Sequence, residues 1–131
     1  MKNKIIILLE IISICLIVYL IFTKEAHSQE IYKSPNIKVY AFEKVLDKWG
    51  DKQWVHFSEL VYKESGWKDT ADNPKSSAYG LGQFLDSTWK TVGCKKTPDK
   101  YVQIDCMLNY IELRYDTPYK AMVHHKKNNW Y

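Results

Sequence analysis

The stretch Trp54-Val55-His56-Phe57-Ser58-Glu59-Leu60-Val61-Tyr62-Lys63-Glu64-Ser65-Gly66 sets the structural class of this protein. Its apolar residues Trp54, Phe57, Leu60 and Val61 recur at steps of three and four, the period of one helix face. Glu64 continues that stripe, and Gly66 follows almost at once, where glycine commonly ends a helix. The same period extends to either side. Val39, Phe42, Val45, Leu46 and Trp49 predict an earlier helix, closed by Gly50 and Asp51. Tyr101, Ile104, Met107, Leu108, Ile111 and Tyr115 predict a longer one, broken by Asp116-Thr117-Pro118. Asp86-Ser87-Thr88 reads as an N-cap opening a short helix through Trp89 and Val92, which Gly93 closes. A short final helix is expected from Tyr119 to His125. Residues 69–78, rich in Asp, Asn, Pro and Ser, read as loop. The expectation is a mainly α globule, with at most a minor β-hairpin between Gly66 and Phe84.

The 131 residues suit one small domain behind an N-terminal extension. Lys2 and Lys4 precede an apolar run from Ile5 to Phe22, which only Glu10 and Ser13 interrupt. The small-residue exit Ala26-His27-Ser28 then gives the pattern of a secretory signal peptide. An uncleaved membrane anchor is the rival reading, because about 18 apolar residues just span a bilayer. Residues 1–28 are therefore a signal peptide or anchor, 29–38 a polar linker and 39–131 the domain. Both readings of the leader place the domain outside the cytoplasm. Cys94 and Cys106 are the two cysteines beyond the leader, and in an oxidising compartment they are expected to form a disulfide. A formal charge of +4 suits an anionic surface such as a cell wall, but nothing forms a nucleic-acid-binding stripe. His124 and His125 are adjacent, without metal-ligand spacing or a third ligand nearby, and read as a solvated surface pair. No metal or cofactor is expected.

Glu64 is the candidate catalytic group. A carboxyl on the apolar stripe faces the interior side of its helix, where desolvation raises its pKa toward the range a general acid needs. The helix stops directly after it, at the mouth of a loop ending in a glycine-framed segment where backbone can approach a ligand closely. Asp69 and Asp72 follow in that loop as possible second carboxylates, although loop acids more commonly form turns and caps.

Glu64-Ser65-Gly66-Trp67, followed by Ala78-Tyr79-Gly80-Leu81-Gly82-Gln83-Phe84, resembles the signature of lytic transglycosylases and their goose-type lysozyme relatives. Gln103-Ile104-Asp105, Tyr110-Ile111, Arg114-Tyr115 and Thr117-Pro118 resemble the family's third block, and Asn129-Trp130-Tyr131 resembles a Gly-Trp-Tyr ending. Asp116 and Asn129 stand where the family commonly has glycine, and its Asn-Ala-Gly element has no clear counterpart. The resemblance implies a small lysozyme-like fold and cleavage of the MurNAc–GlcNAc bond of peptidoglycan glycan strands. Glu64 would be the single acid and base, and anhydro-muramoyl ends the product. Hydrolysis by a muramidase and a non-catalytic peptidoglycan-binding module are the alternatives. On the resemblance Gln83 lines the sugar cleft, where its amide suits an N-acetyl group. Ser65, Tyr79, Gly80, Tyr110 and Trp130 are the further substrate-binding candidates. The expected protein is a monomer, exported to face the cell wall and touching membrane only through an uncleaved leader.

Overall fold

The computed structural model describes residue 6, residues 10–21 and residues 36–131. The expected cleavage site at Ala26-His27-Ser28 and most of the expected linker lie outside the described residues. The chain divides between Pro35 and Asn36. In the first part, residues 10–21 form helix α1, whose side chains are exposed. Among the described residues, no helix is long and apolar enough to cross a membrane.

The second part is mainly helical, as the periodicity predicts. Helix α2 spans Ile37–Trp49 and starts two residues earlier than its apolar pattern, because the Asn36 side chain accepts the Lys38 N–H at 3.0 Å. Its buried face is also rotated from the expected one. Tyr40, Ala41 and Val45 are buried, while Val39 and Leu46 are exposed. The cause is the polar end of Tyr40, whose hydroxyl donates to the Asp105 carboxylate at 2.9 Å and draws the ring inward. A single 3-10 turn at Asp51–Gln53 leads into α3, Trp54–Ser65, which buries Phe57, Leu60 and Val61 and stops at Gly66 in the left-handed region, φ 61°. Two isolated antiparallel bridges, Asp72 with Tyr79 and Tyr79 with Phe84, are the β-structure of the loop that follows.

Helix α4, Asp86–Thr91, corrects the expected cap. Leu85 takes the N-cap position with no side-chain cap bond, and the Asp86 carboxylate instead pairs with Lys96 at 3.3 Å. Helix α5, Lys100–Tyr115, is capped by Asp99, which accepts from Tyr101 and Val102 N–H. It buries Gln103, Ile104, Cys106, Met107, Leu108, Tyr110 and Ile111, too wide an arc for one stripe, because α2, α6 and the glycine-framed segment all pack around it. Thr117 caps α6 and Pro118 occupies its first turn, where a missing N–H costs nothing. This last helix runs Pro118–Asn128, longer than expected, and packs on α3 and α5. A disulfide joins Cys94 to Cys106 across a separation of 12 residues, tying the end of α4 to α5. Such a bridge is compatible with an extracytoplasmic location.

Candidate active site

Helix α3 delivers Glu64 to the edge of a cleft of about 390 Å³, lined also by Gln83, Phe84, Tyr110, Arg114, Trp130 and Tyr131 among others. Phe57, Leu60, Val61 and Glu64 stand at the spacing of one helix face, so burying the first three carries the carboxyl inward with them. Its side chain keeps 15% of its surface exposed. That burial pushes the Glu64 carboxyl up to about 7, so near neutral pH a large share of it carries a proton. Among the described residues that line the cleft, Glu64 is the only carboxylate side chain. Asp72 is exposed, Asp69 is half-buried, and neither lines this cleft.

The glycine-framed segment contributes Gly82, Gln83 and Phe84 to the same lining. Gln83 adopts φ 48°, uncommon for a residue with a side chain, and its Nε2 donates to the carbonyls of Ala71 at 3.1 Å and Gly80 at 3.0 Å. With both donor contacts spent on backbone, its amide oxygen is the polar atom left for a ligand. Gly82 permits close approach: a Cβ there would stand 2.7 Å from the Tyr131 hydroxyl and 2.9 Å from Met107 Cγ. The Tyr131 hydroxyl donates to the Gly82 carbonyl at 3.4 Å, and burial raises the pKa of this phenol, with the nearby Glu64 charge adding to the effect.

Tyr110, Trp130 and Arg114 complete the rim. The Tyr110 hydroxyl donates to the Tyr131 carbonyl at 3.1 Å and accepts from Arg114 Nη1 at 2.8 Å. The Arg114 guanidinium lies 4.9 Å from the centre of the Trp130 ring, close enough for a cation–π contact. Trp130 is 48% exposed and presents an aromatic surface at the mouth.

Of the residues singled out from sequence, Glu64, Gln83, Tyr110 and Trp130 thus line one cleft, while Ser65, Tyr79 and Gly80 stand outside its lining. Ser65 Oγ contacts the carbonyls of Leu81 at 2.9 Å and Val61 at 3.2 Å, tying the glycine-framed segment to the end of α3. Tyr79 pairs its backbone with Phe84 and carries Lys96 over its ring at 5.5 Å. Gly80, at φ 78°, makes room for a neighbour, since a Cβ there would stand 2.5 Å from Gln103 Oε1. Among the described residues, no group of three or more His, Cys, Asp or Glu is placed to hold a metal ion.

The histidine pair is not the solvated feature its sequence implies. His125 Nε2 lies 3.0 Å from Glu64 Oε1, with 13% of its side chain exposed. His124 packs against Tyr115 and against Trp130, ring centres 5.2 and 4.5 Å apart, and its Nε2 is buried without a hydrogen-bond partner. Pro118, Ala121 and Met122 are the buried residues of α6, and His125 falls next on their face. That stripe was the available signal. Burial pushes the His125 imidazole below its ordinary value, and the Lys63 ammonium adds to the effect. Near neutral pH a large share of the pair is therefore a carboxyl beside a neutral imidazole.

No family model matches the chain, and no solved structure matches it. A curated protein named Probable transglycosylase SceD, from Staphylococcus haemolyticus (strain JCSC1435), is 46% identical to it over 46 residues. The matched stretch is 35% of this chain and 18% of that protein, so the similarity to a transglycosylase is partial and local.

Proposed function

We propose that this protein cleaves peptidoglycan glycan strands as a lytic transglycosylase, with Glu64 serving first as acid and then as base. The observation that carries the reading is a carboxyl held largely out of water at a cleft edge, with its pKa raised to about 7 and Gln83 in the same lining. In the proposed reaction Glu64 protonates the glycosidic oxygen between N-acetylmuramic acid and N-acetylglucosamine, and the bond from that oxygen to the muramoyl anomeric carbon breaks. A hydroxyl of the muramoyl sugar attacks the same carbon and returns its proton to the Glu64 carboxylate. The product is an anhydro-muramoyl end. A hydrolytic two-carboxylate mechanism needs a second acid at a set distance. Glu64 has no carboxylate side chain beside it among the described lining residues, which favours attack from within the substrate. The Gln83 amide oxygen suits an N-acetyl N–H, and the Trp130 ring suits a sugar face.

The partial similarity to a probable transglycosylase supports the same reaction class. In this reading residues 1–28 deliver the chain beyond the cytoplasm, residues 39–131 are the working domain, and the protein acts as a monomer on the wall. The test is digestion of purified sacculi by the full chain and by its Glu64→Gln variant, with mass analysis of the glycan ends. Anhydro ends from the parent and none from the variant are expected. Ordinary reducing ends would make the protein a muramidase, binding without cleavage would make it a wall-binding module, and cleavage by the variant would remove Glu64 from the role.

A further inference from the structure

We propose that His125 is a positioning residue for Glu64: its imidazole holds one oxygen of the carboxyl and steadies the negative charge that forms when the proton leaves. The inference rests on the reading of Glu64 as the acid. The geometry behind it comes from two helices with the same pattern. Phe57, Leu60, Val61 and Glu64 on α3, and Pro118, Ala121, Met122 and His125 on α6, each occupy positions one, four, five and eight of a helical face. The helices pack on each other, so the polar residue ending one stripe meets the polar residue ending the other. Nε2 and Oε1 are 3.0 Å apart, with both side chains mostly shielded from solvent. The backbone of His125 is fixed as well, because its carbonyl accepts the Asn129 N–H at 2.7 Å where the helix ends.

The charged and titratable groups acting on His125 are Lys63, Glu59 and Glu64 from α3 and His124 beside it on α6; Tyr131 acts on the Glu64 side of the pair. Burial, Lys63 and His124 disfavour the imidazolium, while Glu59 favours it and is itself approached by Lys126 at 3.7 Å. A neutral imidazole with its proton on Nε2 donates to Oε1. When Glu64 gives its proton to the glycosidic oxygen, that hydrogen bond becomes charge-assisted and strengthens roughly twofold. An interaction stronger in the transition state than in the ground state accelerates the step. His125 neither gains nor loses a proton over the cycle, because Glu64 recovers its own from the attacking hydroxyl.

The experiment compares the full chain with His125→Leu, His125→Gln and Glu64→Gln on solubilised glycan strands. Leucine nearly matches the volume of histidine and removes the donor; glutamine supplies an amide N–H. In His125→Leu, kcat is expected to fall about 10- to 100-fold with KM changed less than about twofold, and the basic limb of the kcat profile to move to higher pH. His125→Gln is expected to recover about tenfold of the loss and to return the limb toward its original position. A His125→Leu variant with parental kcat and pH profile, beside an inactive Glu64→Gln, overturns the role of His125 and leaves the Glu64 reading standing. An active Glu64→Gln overturns both. Nitrogen NMR of the parent protein supplies a readout that needs no variant to fold. With Glu64 ionised, the His125 proton is expected on Nε2, and finding it on Nδ1 overturns the proposal.

Discussion

Replacing Gln103 with methionine removes an α5 side chain that hydrogen-bonds the glycine-framed wall of the cleft. The Gln103 amide oxygen accepts the Leu81 N–H at 2.7 Å, and its Nε2 donates to the carbonyls of Asp69 and Thr97, both at 2.9 Å. The residue is 1% exposed, so water cannot take over these roles without opening the structure. Methionine has nearly the same length and volume, which keeps the cavity contribution small. At about 1 kcal/mol net for each bond, the three together come to about 3 kcal/mol. Leu81 is fully buried, and leaving its N–H without a partner adds about 1 kcal/mol or more. The expected loss is therefore about 4 kcal/mol. Urea unfolding followed by tryptophan fluorescence measures it. With a slope of about 1.5 kcal/mol/M, typical of small proteins, the midpoint falls by about 2.5 M at constant slope. Cleavage should fall too, since the segment carries Gly82 and Gln83 into the cleft lining. A loss below about 1 kcal/mol would refute the idea that these three bonds anchor the wall.

Further outcomes follow from the site and its supports. Glu64 has a folded-state pKa of about 7 against 4.5 for the unfolded chain, so its contribution to stability is complete below pH 4.5 and is lost as pH rises through about 7. After allowance for solvent screening, Glu64→Gln should gain about 2 kcal/mol on the parent between acid and alkaline pH, read from urea midpoints at each pH. Parental cleavage should decline over the upper part of the same window, as the acid form is titrated away. Converting Cys94 and Cys106 to serine should cost about 3 kcal/mol, and a parent equally stable with and without reductant would contradict this. In Gly82→Ala the new methyl group meets the Tyr131 hydroxyl and Met107, costing about 1–3 kcal/mol. Thermal unfolding should show part of that cost recovered when Tyr131→Phe removes the hydroxyl.

Legibility in the sequence followed the range of the interactions. Helix α3 and its stop at Gly66 are local events, set by apolar spacing and one glycine, and both stand where the sequence places them. The face of α2 is not local. Apolar spacing selects Val39 and Leu46, but the Tyr40 hydroxyl finds Asp105 on another helix, and that bond turns Tyr40 inward. Asp86 has the composition of a cap, yet Lys96 takes its carboxylate. The end of α6 is polar and gives no apolar period to follow, so its continuation through Lys126, Lys127 and Asn128 to a left-handed Asn129 is invisible to periodicity.

The candidate site shows the same division at finer scale. Glu64, Gln103 and His125 are each a polar residue on an otherwise buried helix face, an arrangement that costs free energy unless a partner is supplied. The sequence marks Glu64, whose stripe is visible, but reads His125 as solvated and leaves Gln103 off the predicted stripe of its helix; it cannot mark the partners, which lie on other elements. What separates their roles is the kind of partner each one meets. Gln103 spends its amide on three backbone groups and has no proton to exchange near neutral pH, so it serves as a tether. Glu64 and His125 meet each other, both titratable, and Glu64 lines an open cleft. A polar residue on an apolar stripe is thus a question that the sequence poses and that packing answers. When the answering group can itself exchange a proton and the pair borders space for a ligand, chemistry is the reading with the stronger physical support.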